Sequence, residues 1–151
     1  MAENSIKPQI NEAIKTSMKS GDKENTTTLR MAISEIKKEE IDKKSDLTDQ
    51  EIITILQKMI KQRKDSSSQF SSAGREELAE KEEREIKSLN EFLPEQLTEE
   101  EIEKLVSKTI NDLNVQSIQD IGKVMGSLKS QLQGKADMSI VSRIVKQNLS
   151  E

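Results

Sequence analysis

The side chains best placed to meet phosphate lie toward the C-terminal end: Lys123, Lys129, Lys135, Arg143 and Lys146. Ammonium and guanidinium groups neutralise phosphates and release counterions, so such a set gives an affinity that falls with salt. From Asn114 to Glu151 these five cations face three acids, Asp120, Asp137 and Glu151, a local net charge of +2. Lys135 stands just ahead of Asp137, which reads as a helix cap, and the free amides there would add to its pull on an anion. The plainer reading of the five is an ordinary solvated face. Gly122 and Gly126 sit among them, one turn apart on one helix face. A glycine inside a helix costs about 1 kcal/mol against alanine. The pair therefore asks for a reason: tight packing of another helix, or close approach of a ligand backbone. Lys58, Lys61 and Lys64, with Arg75 just after Gly74, offer a second basic strip, for which solvation of a long helix is the plainer account. Arg63, in the same run, points away from Lys61 and Lys64.

Other chemistry is narrowed by what is missing. The chain has no His, Cys, Trp or Tyr. That removes an imidazole base, a thiol nucleophile, a Cys/His zinc site and any disulfide. Glu82 and Glu85 are one turn apart and could chelate a divalent cation, but Leu78 occupies the preceding position on that face. A surface ion-pair network, for instance Lys81 with Glu85, explains them better. No catalytic residue, metal site or cofactor is assigned. The net charge of −4 over 151 residues argues against a generally basic nucleic-acid binder, and no DNA partner is expected. Phe70 and Phe92 are the only aromatics, and both precede the basic segment. Base stacking there is excluded, while shape recognition of folded RNA stays open. Met1 to Ser5 do not lead into the apolar core of a signal peptide, and no run approaches the roughly 18 apolar residues of a membrane span. A cytoplasmic protein without a membrane partner is expected.

The elements that must carry these residues are helices throughout. Ile6, Ile10, Ile14 and Met18 share a face, with Pro8 in the first turn and Gly21 as the stop. Asp22 caps a second helix with Leu29, Ile33, Ile36 and Ile41 on its stripe. Thr48 and Glu51 form a capping box ahead of Ile52, Leu56, Met59 and Ile60. A fourth helix, about 75–91, carries Leu78, Ile86 and Leu89, with Glu82 and Glu85 interrupting its stripe. Pro94 ends it, and Thr98 opens a second capping box. Three short helices follow, over 98–113, 117–132 and 137–149. The expected architecture is all-α: a helical N-terminal domain over 1–94 and a three-helix tail over 95–151.

Several segments, in this order, carry a resemblance: Leu29-Arg30-Met31, Ile60 to Ser66, Ala73-Gly74-Arg75, Leu78 to Glu83, Phe92 to Leu97, Gly122 to Gly126 and Gly134 to Asp137. On these the chain resembles the YqeY family over nearly its whole length, least in its first 20 residues. The C-terminal part is also similar to the tail domain of GatB, the subunit of the glutamine-dependent Asp/Glu-tRNA amidotransferase that carries the kinase and transamidase site. That catalytic cradle is a separate, larger domain, and nothing in these residues resembles it. The GatB tail is a helical module that touches the outer corner of tRNA. The resemblance thus implies an all-α protein with a tRNA-related binding module and carries over no active site. The expected function is a non-catalytic adaptor that binds tRNA, or that associates with an amidotransferase or translation-related protein. One rival is a protein-interaction module without RNA contact. A second, suggested by family naming, is a carbon–nitrogen ligase with glutamine as amido donor. The residues supply neither an amidase Ser/Lys array nor an ATP-phosphate loop for it.

Overall fold

The computed structural model describes residues 5–149, so Met1 to Asn4, Ser150 and Glu151 lie outside the described residues. Seven α-helices and no strand are found among the described residues, and the chain is all-α. The helices are α1 (Ile6–Ser20), α2 (Lys23–Lys43), α3 (Asp49–Ser72), α4 (Glu76–Asn90), α5 (Glu99–Leu113), α6 (Ile121–Leu132) and α7 (Met138–Leu149). A 3-10 turn, Ile118–Asp120, precedes α6. The chain divides into two compact units between Leu93 and Pro94.

Helix starts follow side-chain chemistry. Asp22 accepts the Asn25 amide at 3.1 Å, and Thr48 and Thr98 each form a full capping box, with Glu51 and Glu101 respectively. The weak helix formers Thr26 and Thr28 are absorbed into α2. Each is buried and returns its hydroxyl to a carbonyl four residues back, Thr26 to Asp22 at 2.8 Å and Thr28 to Glu24 at 3.1 Å. Between α3 and α4 the chain reverses through Gly74 at φ +75°, a left-handed turn that a side chain rarely adopts. The Arg75 amide then donates to the Phe70 carbonyl at 2.8 Å.

The first unit pairs α1 with α2 and α3 with α4, and α2 joins the pairs through α3 and α4. Its core is aliphatic: Ile10, Leu29, Ile36, Ile52, Leu56 and Leu89 are fully buried, and Phe92 and Leu93 pack against this cluster. Each such side chain contributes about 1.5–3 kcal/mol by leaving water. Three expected core positions prove exposed: Met18 (55%), Ile41 (75%) and Leu78 (37%). In two cases the buried stripe passes one residue away, at Ser17 and Ala79, and beside Ile41 stands the half-buried, hydrogen-bonded Glu40. Glu40 is held there by Lys7 at 2.7 Å and by the Leu47 amide at 3.3 Å.

The second unit is a three-helix module in which α5, α6 and α7 each contact the other two. Val106, Val124, Leu128, Leu132, Val141 and Val145 are fully buried, and Leu97 packs against this cluster. The segment after Pro94 is pinned to this unit. The Leu97 amide donates to the Lys135 carbonyl at 2.9 Å, and the Gln96 side-chain amide donates to the Gly134 carbonyl at 2.7 Å.

Candidate functional site

The buried stripe of α6, Val124–Leu128–Leu132, turns the opposite side of that helix to water. Gly122 and Gly126 are both on that open side. A Cβ at either position would meet no atom of another element within 4 Å. Tight packing against α5 or α7 is therefore not what these glycines serve, because neither helix of this unit reaches them. Lys129, seven residues after Gly122 and three after Gly126, lies on the same face, and Lys123 flanks it. Both lysines are exposed. Lys123 has only a long contact with Asp120, at 4.0 Å.

Lys135 is held in place by its backbone. Gly134, at φ +82°, bends the chain out of α6, and the Lys135 amide donates to the Leu132 carbonyl at 2.9 Å. Its carbonyl takes the bond from Leu97 described above, while its side chain stays exposed. Two residues on, Asp137 caps α7 by accepting the Ser139 amide at 2.8 Å. Arg143 is engaged differently. Its guanidinium reaches Glu99 in the acidic first turn of α5 at 3.0 Å. Lys146 is exposed one turn further along α7. The unit thus offers an α6 glycine face with Lys123 and Lys129, and a braced turn carrying Lys135. Arg143 is drawn toward the acidic end of α5.

In the first unit, Lys58, Lys61, Lys64 and Arg75 are all exposed. At about 100° per residue the three lysines span roughly 120° of α3. Lys58 also lines a groove of about 510 Å³ between α2 and α3, together with Arg30, Met31, Met59, Gln62 and Arg63. The sequence reading missed Arg63 as a structural centre. It is buried, and its Nε donates to Glu85 Oε1 at 3.2 Å while Nη1 donates to the Met59 carbonyl at 3.2 Å. Glu85 is thus the partner of Arg63 and not of Lys81. Beside this pair, Ser67 donates to Glu83 at 2.9 Å, so the interrupted stripe of α4 faces a polar seam on α3. The signal was in the spacing: Leu56, Ile60, Arg63 and Ser67 fall on one heptad-like stripe.

Electrostatics follow these contacts. Burial, then the neighbouring Glu85, raises the Glu82 carboxyl above its ordinary value. The bond from Arg84 lowers Glu24, and the bond from Lys7 lowers Glu40. Glu51 is lowered to about 2, first by the Lys43 ammonium at 2.6 Å and then by the Thr48 amide of its capping box. No group of three or more acidic side chains suited to a metal ion is found among the described residues. No helix among them is long and apolar enough to cross a membrane.

Curated proteins align with this chain over much of its length. An uncharacterized protein of Schizosaccharomyces pombe is 42% identical over 86 residues, covering 57% of this chain and 70% of its own length. A protein of Pyrenophora tritici-repentis named altered inheritance of mitochondria protein 41, mitochondrial, is 31% identical over 96% of this chain and 81% of its own length. A protein of the same name from Vanderwaltozyma polyspora is 39% identical over 66% of this chain and 56% of its own. The family model described as Yqey-like protein matches residues 7–149, from the first turn of α1 to the last of α7, and the chain belongs to that family.

Proposed function

We propose that the C-terminal unit binds folded RNA through its phosphates, and that the chain is a non-catalytic RNA-binding adaptor. The open glycine face of α6 carries this reading. Gly122 in the first turn of α6 and Gly126 one turn further in, with nothing among the described residues near a Cβ at either, leave room for a sugar–phosphate backbone to approach the helix axis closely. Lys129 on that face, Lys123 beside it and Lys135 on the braced turn supply the cations. With no aromatic side chain in this unit, recognition rests on shape and phosphate contact and not on stacked bases. Resemblance to the GatB tail makes tRNA the RNA class to try first.

The test is a fluorescence titration of the full chain with folded tRNA at several salt concentrations. Lys123→Ala/Lys129→Ala/Lys135→Ala should weaken binding across RNA sequences. It should also flatten the slope of log affinity against log salt by about 2–3. Unchanged affinity of the triple variant at low salt would reject the proposal.

A further inference from the structure

Met18 fits the apolar stripe of α1 by period, yet it is 55% exposed, and Ser17 holds the buried place beside it. Its sulfur is not left to water alone. Arg30, twelve residues on and across the turn at Gly21, donates from Nη2 to Met18 Sδ at 3.3 Å. The contact joins the end of α1 to α2, as does the bond from the Asn25 side chain to the Ser17 hydroxyl. Arg30 makes no ion pair among the described residues, and Met18 is its hydrogen-bond partner there.

A thioether is a weak acceptor for a guanidinium. One chemical change at this atom makes it a strong one. Two-electron oxidation places an oxygen on the sulfur, and a sulfoxide oxygen carries enough negative charge to accept a charge-assisted bond. We propose that Met18 is a reversible oxidation site, and that Arg30 captures its sulfoxide and so ties α1 to α2 more firmly. The oxidant is hydrogen peroxide. A sulfur lone pair attacks one peroxide oxygen, so that an S–O bond forms and the O–O bond breaks. The proton on the transferred oxygen passes to the departing hydroxide, which leaves as water. Sulfur loses the two electrons that the peroxide gains. Methionine sulfoxide reductases reverse the step: two thiols are oxidised to a disulfide and the oxygen leaves as water.

Methionine oxidation usually does damage, because it brings a polar group into a packed core. Met18 is outside the buried cluster of the first unit, so no core packing is lost and the sign of the effect reverses. Met31 supplies the contrast. It is 46% exposed and has Arg63 Nη2 at 3.8 Å, but that guanidinium already donates to Glu85 and to the Met59 carbonyl. A sulfoxide at Met31 therefore meets a cation that is already engaged, and a sulfoxide at Met18 meets one that is not. The site lies in the first unit and is independent of the RNA reading.

The test treats the full chain with limiting hydrogen peroxide and reads the oxidised positions by peptide mass spectrometry. Met18 should gain oxygen ahead of Met59, which is 5% exposed. Urea unfolding then compares treated with untreated protein for the parent, Met18→Leu and Arg30→Ala, both substitutions being at exposed positions. Treatment should raise the folding equilibrium constant of the parent about two- to tenfold relative to its effect on Met18→Leu, the range of one hydrogen bond. The gain should vanish in Arg30→Ala. Reductases acting on both sulfoxide epimers should return the parent to its starting stability. The inference is overturned if Met18 stays reduced while Met59 oxidises, or if treatment favours folding of the parent no more than that of Met18→Leu. It is also overturned if the gain survives in Arg30→Ala, or if the reductases leave it in place.

Discussion

Arg63 shows what a single buried charge demands. Its side chain and that of Glu85 are about nine-tenths buried, so neither is solvated without the other. Glu85→Ala should cost about 3–5 kcal/mol in denaturant unfolding, because it strands the guanidinium. Arg63→Met/Glu85→Leu, which removes both charges, should recover most of that loss. A double variant as unstable as the single would mean that the seam depends on its hydrogen bonds and not on charge pairing. Glu51 gives a second prediction. Its folded value of about 2 lies below its ordinary 4.5, so its stabilising effect is complete above pH 4.5 and is lost as pH falls toward 2. Glu51→Gln should therefore flatten the dependence of melting temperature on pH within that window. A variant as pH-sensitive as the parent there would place the acid response on Glu24 and Glu40. Both Thr48–Glu51 and Asp22 could be read from sequence, since a cap needs only neighbours in the chain. The partner of Arg63 could not, because it lies on another helix, 22 residues away.

Helices as units were legible because the apolar spacing and the caps agree, but their facing was read less well. Met18, Ile41 and Leu78 fit a stripe by period, yet Ser17 and Ala79 are buried in place of Met18 and Leu78, and Ile41 is exposed beside the half-buried Glu40. The glycines of α6 invert the usual argument in the same way. They asked for a packing partner, and neither α5 nor α7 supplies one. With nothing near a new methyl, Gly126→Ala should stabilise α6 by up to about 1 kcal/mol, and Gly122→Ala, in the first turn, by less. If the helix meets an RNA backbone there, the same methyls should weaken RNA binding. A melting temperature that rises while affinity falls would separate a binding role from a structural one. A fall in melting temperature would mean that the glycines serve the fold after all.

At the level of the whole molecule, two cores were legible because Pro94 and the Thr98 cap interrupt the helical pattern. The sequence assigned residues 95–97 to the tail without showing what ties them to it. Leu93 packs into the first core and Leu97 into the second, while Gln96 and Leu97 hydrogen-bond to the turn that carries Lys135. A fragment of residues 94–151 should accordingly be helical and melt cooperatively by circular dichroism, though with marginal stability at this size. A disordered fragment would mean that the second unit depends on the first. The chain's overall charge of −4 makes non-specific attraction to RNA a poor explanation of any binding by it. The decisive measurement compares two charge-matched variants in one salt titration with folded tRNA. One removes Lys123, Lys129 and Lys135, and the other removes Lys19, Lys38 and Lys87, exposed lysines of the first unit. The first should lose affinity and salt slope while the second binds as the parent does. Equal losses in both would contradict a phosphate site on α6 and its following turn.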